Sequence, residues 1–464
     1  MIEYKREESF RREAIMNKQK KTVVIGLDCA DPGLVFNEFR DDLPNLSWLM
    51  EKGTYGKLRS TTPPITVPAW MSMVTGKDPG ELGLYGFQNR AEYAYGSLMI
   101  PNSRHIKDPT VWETLTKRGF KSIVLGVPLT YPPKPLNGCM VTSFLTPSIQ
   151  SPYTYPPGLK DEIHKLVGDY RFDVDNLRIP DKQKIIDEVY EMTDKRFLLA
   201  EKFLREKDWD FFMMVEMGTD RMHHALWAHH DKTHFKHDPA SPFKEAIHNY
   251  YKHVDEKLGT LFKALPEGTR IMIVSDHGVQ KMKGGLAIND WLIENGYLVL
   301  KEDVSKPTRI EKLIIENKID WSRTTAWVLG GYYGKLYINL KGREEKGIVR
   351  PGYFEAVRNR LVKEIKAIHE EDFITGEKKK MNTRIFKPEA IYKEAQNIPP
   401  DLMIYFGNLS WRAIGTVGNG SIWVHENDTG PDDANHAEDG IIISTEKECP
   451  ASIMAVRDYI LSFY

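Results

Sequence analysis

An α/β fold, read as a three-layer α/β/α sandwich with a mostly parallel central sheet and an inserted smaller α+β lobe, is what this 464-residue sequence predicts. Three observations carry that reading. Continuous apolar, β-branched runs such as Thr22-Val23-Val24-Ile25-Gly26-Leu27 have the composition of strands buried on both faces of a parallel sheet. These runs alternate with helix-patterned segments as far as Leu300. From Lys301 the texture turns charged and mixed, and the apolar pattern returns only at Ile441-Ile442-Ile443-Ser444 and the helix pattern Ala451 to Ser462. The expected organisation is a charged N-terminal extension over 1–20, a core over 21–300 and 435–464, and an inserted α+β cap lobe over 301–434.

Along the core, the first strand ends at Asp28, the sheet end where open α/β folds gather ligands. Pro44 to Gly53 reads as a short helix closed by glycine, and a small strand follows from Gly56 to Ser60. Helix Val111 to Arg118 precedes the buried strand Ser122 to Val127, and the proline-rich Pro128 to Pro157 reads as a long loop. The apolar spacing of Ile185, Ile186, Val189, Met192, Phe197 and Leu198 predicts a helix over Asp181 to Glu206. It leads into the strand Asp210 to Val215. A helix over Phe243 to Leu265 and the strand Arg270 to Ser275 complete the alternation. In the lobe, a helix is expected from Tyr353 to His369 and a strand from Leu402 to Phe406.

Bulk composition narrows the partners. A net charge of −1 with 28% charged residues points to neither a nucleic-acid polymer nor an acidic membrane face. Cys29, Cys139 and Cys449 lack the paired spacing of a disulfide framework, and Met1 to Lys21 lacks the apolar run of a signal peptide. With no stretch long enough for a membrane span, the expectation is a cytoplasmic protein, with Met16 an alternative start. Oligomeric state has no signature here.

Chemistry-bearing residues cluster at the predicted strand ends. In Pro63-Pro64-Ile65-Thr66-Val67-Pro68-Ala69-Trp70 a single hydroxyl stands between prolines just where an apolar helix begins. Thr66 there is either a helix cap or a hydroxyl presented to an anion. Asp220 and His224, four apart at a helix start, share a face and can hold one metal ion, although such pairs are also common surface neighbours. His223, His224, His229, His230, His234 and His237 also admit a histidine-rich solvated loop, and only His224 is assigned a ligand role. Asp276-His277-Gly278 closes another strand.

Taken in order, Asp28, Thr66 ahead of a helix ending in Thr75-Gly76, the Asp220 and His224 pair, Asp276-His277-Gly278 and His436 before the last strand resemble the metal-site pattern of the alkaline phosphatase superfamily. Within it the chain is most similar to the type I phosphodiesterase/nucleotide pyrophosphatase family, in its prokaryotic predicted phosphohydrolase/phosphomutase branch. Tyr337-Ile338-Asn339-Leu340-Lys341-Gly342-Arg343 and Pro400-Asp401-Leu402 extend the likeness into the lobe. The resemblance implies an alkaline-phosphatase-like fold, one metal held by Asp220, His224 and His436, and a second held by Asp28, Asp276, His277 and the Thr66 oxygen. Mixed imidazole and carboxylate ligands suit Zn²⁺, with Mn²⁺ a possible substitute. It further implies that Thr66 attacks phosphorus and becomes phosphorylated, and that the partner is a small phosphate ester or nucleotide.

Two positions depart from that pattern. Nucleotide-acting relatives place an asparagine after the Thr-Gly helix, and Asn89 is the nearby candidate; His436 sits in a looser turn, preferred over His425 because it directly precedes the returning strand. Lys57, Arg59 and Arg221 are left out as solvated cations, while Trp70 and Tyr85 are assigned to packing. The expected activity is metal-dependent hydrolysis of phosphodiester or nucleotide pyrophosphate bonds. A phosphomutase, phosphotransferase or phosphomonoesterase using the same residues, and a non-catalytic metal-binding regulator, are the alternatives.

Overall fold

The computed structural model describes residues 20–373 and 375–464, so the predicted extension over 1–20, apart from Lys20, and the alternative start at Met16 lie outside the described residues. In chain order the strands that build and flank the site are β1 (Thr22–Leu27), β2 (Thr54–Arg59), β3 (Ser122–Leu125), β4 (Gly138–Val141), β5 (Thr154–Tyr155), β6 (Phe211–Glu216), β7 (Arg270–Val274), β8 (Gly278–Lys281), β9 (Ala434–Ala437) and β10 (Asp439–Ser444). The helices around them are α1 (Pro44–Lys52), α2 (Thr66–Thr75), α3 (Val111–Lys117), α4 (Lys182–Glu206), α5 (Gly218–His230), α6 (Ala246–Ala264) and α7 (Val456–Leu461).

Eight strands form the central sheet in the order β2-β10-β7-β1-β6-β3-β4-β5. The run β7-β1-β6-β3-β4 is parallel throughout, while β10 and β5 run against their neighbours. Alternation along the strands divides the interior in two. Val23, Ile25 and Leu27 of β1, Phe212 and Met214 of β6, and Ile271 and Ile273 of β7 pack with α1, α4, α5 and α6. Val24, Phe211, Met213, Val215, Met272 and Val274 point the other way, onto α2, α3 and α7. A sheet apolar on both faces must be covered on both, which makes the three layers.

The region from Pro128 to Pro157, expected as a loop, contributes β4 and β5 to the sheet. Four residues and two residues are too short for a periodic signal, and the flanking prolines hid them. Beyond β8, a four-stranded antiparallel sheet is built from Ala326–Leu329, Gly334–Ile338, Leu402–Tyr405 and Arg384–Phe386, with its own buried cluster around Trp327, Leu336 and Ile404.

Two contacts aim chain ends at the site. Gly26 permits Trp70 to lie against β1, since a Cβ at that position would fall 2.3 Å from the indole. At the end of β6, Arg196 pairs with Glu216 at 3.5 Å with both side chains no more than 1% exposed. Glu216 in turn accepts the Gly218 amide at 2.8 Å and so fixes the start of α5. Removing one partner of a buried pair leaves the other uncompensated. Arg196→Met should therefore destabilise the protein by about 3–5 kcal/mol in urea unfolding; a loss within error of zero would contradict the account of this pair.

Candidate metal centre and adjoining cleft

The sequence-predicted residues converge. Asp28 follows β1, Thr66 begins α2, Asp220 and His224 lie on the first turns of α5, and Asp276 and His277 link β7 to β8. His436 is carried by β9, whose antiparallel register with β8 sets Val279 opposite His436. That register brings the His277 and His436 rings into a stack with centroids 3.7 Å apart. All seven side chains are at most 2% exposed. Thr66 is not the helix cap: Ile65 occupies that position, and the Thr66 hydroxyl lies 3.4 Å from His277 Nε2.

Hydrogen bonds orient every ring the same way. Nδ1 of His277 donates to the Gly278 carbonyl (3.1 Å), Nδ1 of His436 to the Pro64 carbonyl (2.7 Å), and Nδ1 of His224 to Asp432 Oδ1 (2.8 Å). Because these oxygens only accept, the neutral rings present Nε2 lone pairs inward. The Nε2 atoms of His224 and His436 face one another at 3.2 Å. Asp220 Oδ1 lies 3.3 Å from the first and 3.8 Å from the second, and Asp276 Oδ2 lies 3.1 Å from His277 Nε2. Asp28 Oδ1, Asp220 Oδ1 and Asp276 Oδ2 are buried without a hydrogen-bond partner. Lone pairs converging without donors are what a cation requires.

Two groups of ligand atoms, Asp220 with His224 and His436, and Asp28 with Asp220 and His277, each lie within 4.8 Å and could hold a metal ion. The first is the set expected from the sequence. In the second, Asp220 reaches between the groups, and Asp276 stands beside His277 with its Oδ1 accepting the Cys29 amide at 3.1 Å.

The charges of these groups are set by burial and by one another. Burial, then Asp220, raises Asp28 well above the usual carboxylate range, and burial, then Asp28, does the same to Asp276. Burial pushes His277 down to about 4 and, with His277 and His224, pushes His436 well below its ordinary value. Burial opposes a charge on His224 too, but Tyr332, Asp432 and Asp220 outweigh it and hold the ring well above its ordinary value. The shifts suppress charge on Asp28, Asp276, His277 and His436 and favour it on Asp220 and His224.

Several residues read differently in the structure. Asn89 turns its amide to its own loop, accepting from Tyr85 N at 2.7 Å and donating to the Gly86 carbonyl at 3.4 Å. Arg221, set aside as solvated, is buried and holds both Asp173 (2.7 Å) and Asp220. Trp70 packs, as expected, yet its indole N–H also donates to Asp28 Oδ2 at 2.6 Å. Tyr85 is buried and donates to the Gln396 carbonyl. His223 is fully buried against Tyr251, so this histidine-rich stretch begins inside α5 rather than in a solvated loop. Asp432 was missed; its one signal was an acidic pair, Asp432-Asp433, just ahead of His436.

A cleft of about 490 Å³ adjoins the cluster, walled by Ile65, Phe87, Phe144 and Tyr332 and lined by Arg178, Arg221, Lys335 and Arg412. Tyr332 connects the two, its ring 4.4 Å from that of His436.

The family profile described as type I phosphodiesterase / nucleotide pyrophosphatase matches residues 22–432. The chain belongs to that family. This phosphodiesterase-family chain is a hydrolase acting on phosphoric ester bonds. Six of the seven converging residues lie inside the match, and His436 lies just beyond it. Among solved structures, phosphonoacetate hydrolase from Sinorhizobium meliloti 1021 in complex with phosphonoacetate is similar with a TM-score of 0.63 and 15% identity, over 96% of this chain and 95% of that one. Human ectonucleotide pyrophosphatase / phosphodiesterase 5 is similar with a TM-score of 0.52 and 13% identity, over 96% and 94%. No curated protein sequence matches. Among the described residues no helix is long and apolar enough to cross a membrane.

Asp432 orients His224 from behind, and partners of that kind tune ligand affinity. Asp432→Asn should weaken Zn²⁺ binding at the Asp220, His224 and His436 group by about 10- to 100-fold, read by competition with a chromophoric chelator. Unchanged affinity at every site would refute the role given to Asp432.

Proposed function

We propose that the protein hydrolyses phosphodiester or nucleotide pyrophosphate bonds at a two-metal site through a phospho-Thr66 intermediate. The observation that carries this is the Thr66 hydroxyl, buried at the start of α2 and 3.4 Å from Nε2 of His277, a member of the second ligand group. The orphaned carboxylate oxygens and inward imidazoles fit divalent ions, Zn²⁺ first and Mn²⁺ second. Asp220, His224 and His436 would hold one, and Asp28, Asp276, His277 and the Thr66 oxygen the other. Bound there, the ions supply Lewis acidity for the nucleophile and charge neutralisation for the phosphoryl group.

The chain's own part is positioning. Trp70 and the Cys29 amide fix the Asp28 and Asp276 carboxylates, and the Gly278, Pro64 and Asp432 oxygens fix the three rings. The amides of Thr66 and Val67 precede the first helical bond, from Ala69 N–H to the Ile65 carbonyl, and a helix start of this kind favours phosphoryl oxygens. Thr66 Oγ forms its bond to phosphorus as the bond from phosphorus to the leaving oxygen breaks, and the hydroxyl proton ends on that leaving group; water then breaks the phosphothreonine P–O bond, giving its oxygen to phosphorus and a proton back to Thr66. The lobe over 301–434 selects the alcohol side, since Tyr332 and Lys335 from it line the cleft.

Thr66→Ala should lower turnover of bis(4-nitrophenyl) phosphate by about 10³-fold or more while the protein still binds two ions. Chelator dialysis should abolish wild-type turnover, and Zn²⁺ or Mn²⁺ should restore it. The diester should be cleaved faster than 4-nitrophenyl phosphate; a preference for the monoester would move the assignment to a phosphomonoesterase. Full activity in Thr66→Ala would end the intermediate.

A further inference from the structure

Among the described residues, one cation of the cleft beside the ligand cluster has no ion pair and another has only long ones. Four cations, Arg178, Arg221, Lys335 and Arg412, line it against two carboxylates, Asp173 and Asp175. Arg221 is committed to Asp173 and Asp220, and Arg178 to Asp432 at 3.0 Å. Lys335 is different. It is 8% exposed, its Nζ donates to the Gln88 carbonyl at 2.8 Å, and among the described residues it has no carboxylate partner. Arg412 is 6% exposed, and its Nε and Nη1 atoms are buried without hydrogen bonds. Its acids stand off, Asp428 at 3.5 Å and Asp432 at 3.9 Å. Burial drives Lys335 down to about 8, with the charge of Glu311 opposing it only in part, the response of an ammonium held away from water.

Arg412 is linked to the proposed reaction centre through a chain of rings. Arg412 lies over the Tyr332 ring at 4.8 Å, Tyr332 against His436 at 4.4 Å, and His436 against His277 at 3.7 Å, a continuous stack from cleft to metal ligands. Ile65, which precedes Thr66, also lines the cleft, as does the Gly86 to Gln88 loop that accepts from Lys335. Phe87, Ile100, Phe144 and Leu145 give an apolar lining.

We propose that the cleft receives a second anionic group of the substrate, carried on the alcohol side of the scissile ester, with Lys335 and Arg412 as its ligands. The substrate class is an organic phosphoester whose leaving alcohol has an apolar spacer and a carboxylate or a further phosphate. This rests on Thr66 and its neighbours being the phosphoryl site.

Calorimetric titration of the Zn²⁺-loaded protein tests it with three series of equal chain length: alkylphosphonates, ω-carboxyalkylphosphonates and α,ω-alkyldiphosphonates. At one or more lengths a two-headed ligand should bind about tenfold or more tighter than its alkylphosphonate. The series that gains identifies the second anion as carboxylate or phosphate. Lys335→Met should erase most of the gain and leave alkylphosphonate affinity in place, and Lys335→Arg should recover part of it. Arg412→Met supplies the same test should Lys335→Met fail to fold. Equal affinity of one- and two-headed ligands at every length, or a gain that survives the Lys335 and Arg412 changes, overturns the inference while leaving the phosphoryl site standing. Absence of any alkylphosphonate binding overturns both.

Discussion

Lone pairs aimed at one another inside the protein are the constraint on which the rest of this structure depends. Nε2 of His224, His277 and His436 and the unpartnered oxygens of Asp28, Asp220 and Asp276 share a buried space in which the Thr66 hydroxyl, 3.4 Å from His277 Nε2, is the one neutral donor beside them among the described residues. Such an arrangement repels itself and is desolvated, so it persists only where the surroundings over-determine it. Those surroundings are specific: an indole N–H for Asp28, a backbone amide for Asp276, and an oxygen acceptor behind each imidazole. Each fixes an orientation that the cluster alone would not choose, and preorganisation of this kind lowers the conformational cost of holding a cation there.

The topology supplies these partners from distant parts of the chain. Parallel strands β1, β6 and β7 end side by side, so the residues after them, Asp28, the start of α5, and Asp276-His277, meet at one edge of the sheet. Two further additions complete the set. α2 lies across β1 because Gly26 leaves room for Trp70, and the β8–β9 pair folds His436 back over His277. The buried Arg196–Glu216 pair belongs to the same scheme, since it anchors the helix that presents Asp220 and His224.

Much of this was legible in residue order. A strand end followed by an acid and an Asp/His pair four apart at a helix start are local patterns, and both fall where the pattern placed them, while Thr66, expected just ahead of its helix, is the first residue of it. What stayed hidden depended on tertiary partners. Asp432 gains meaning only from the ring of His224 against it, and Arg221 only from Asp173 and Asp220. Thr66 could be read as cap or nucleophile until the helix start was fixed one residue earlier, at Ile65. Asn89 fitted by position and failed by direction, because its amide turns back to its own loop. β4 and β5 escaped because strands of four and two residues carry too little periodicity to stand out among prolines.

Asp432 joins the metal cluster to the cleft. One of its oxygens takes the His224 ring, and the other takes Arg178 and lies 3.9 Å from Arg412. Burial raises its proton affinity, but His224, Arg178 and Arg412 prevail and hold it well below the usual carboxylate range. It is therefore a fixed anion with a cation on each side. The ligand cluster and the cleft therefore share one carboxylate: the oxygen that holds the His224 ring and the oxygen that faces Arg178 and Arg412 belong to the same buried side chain, so a change at Asp432 acts on both.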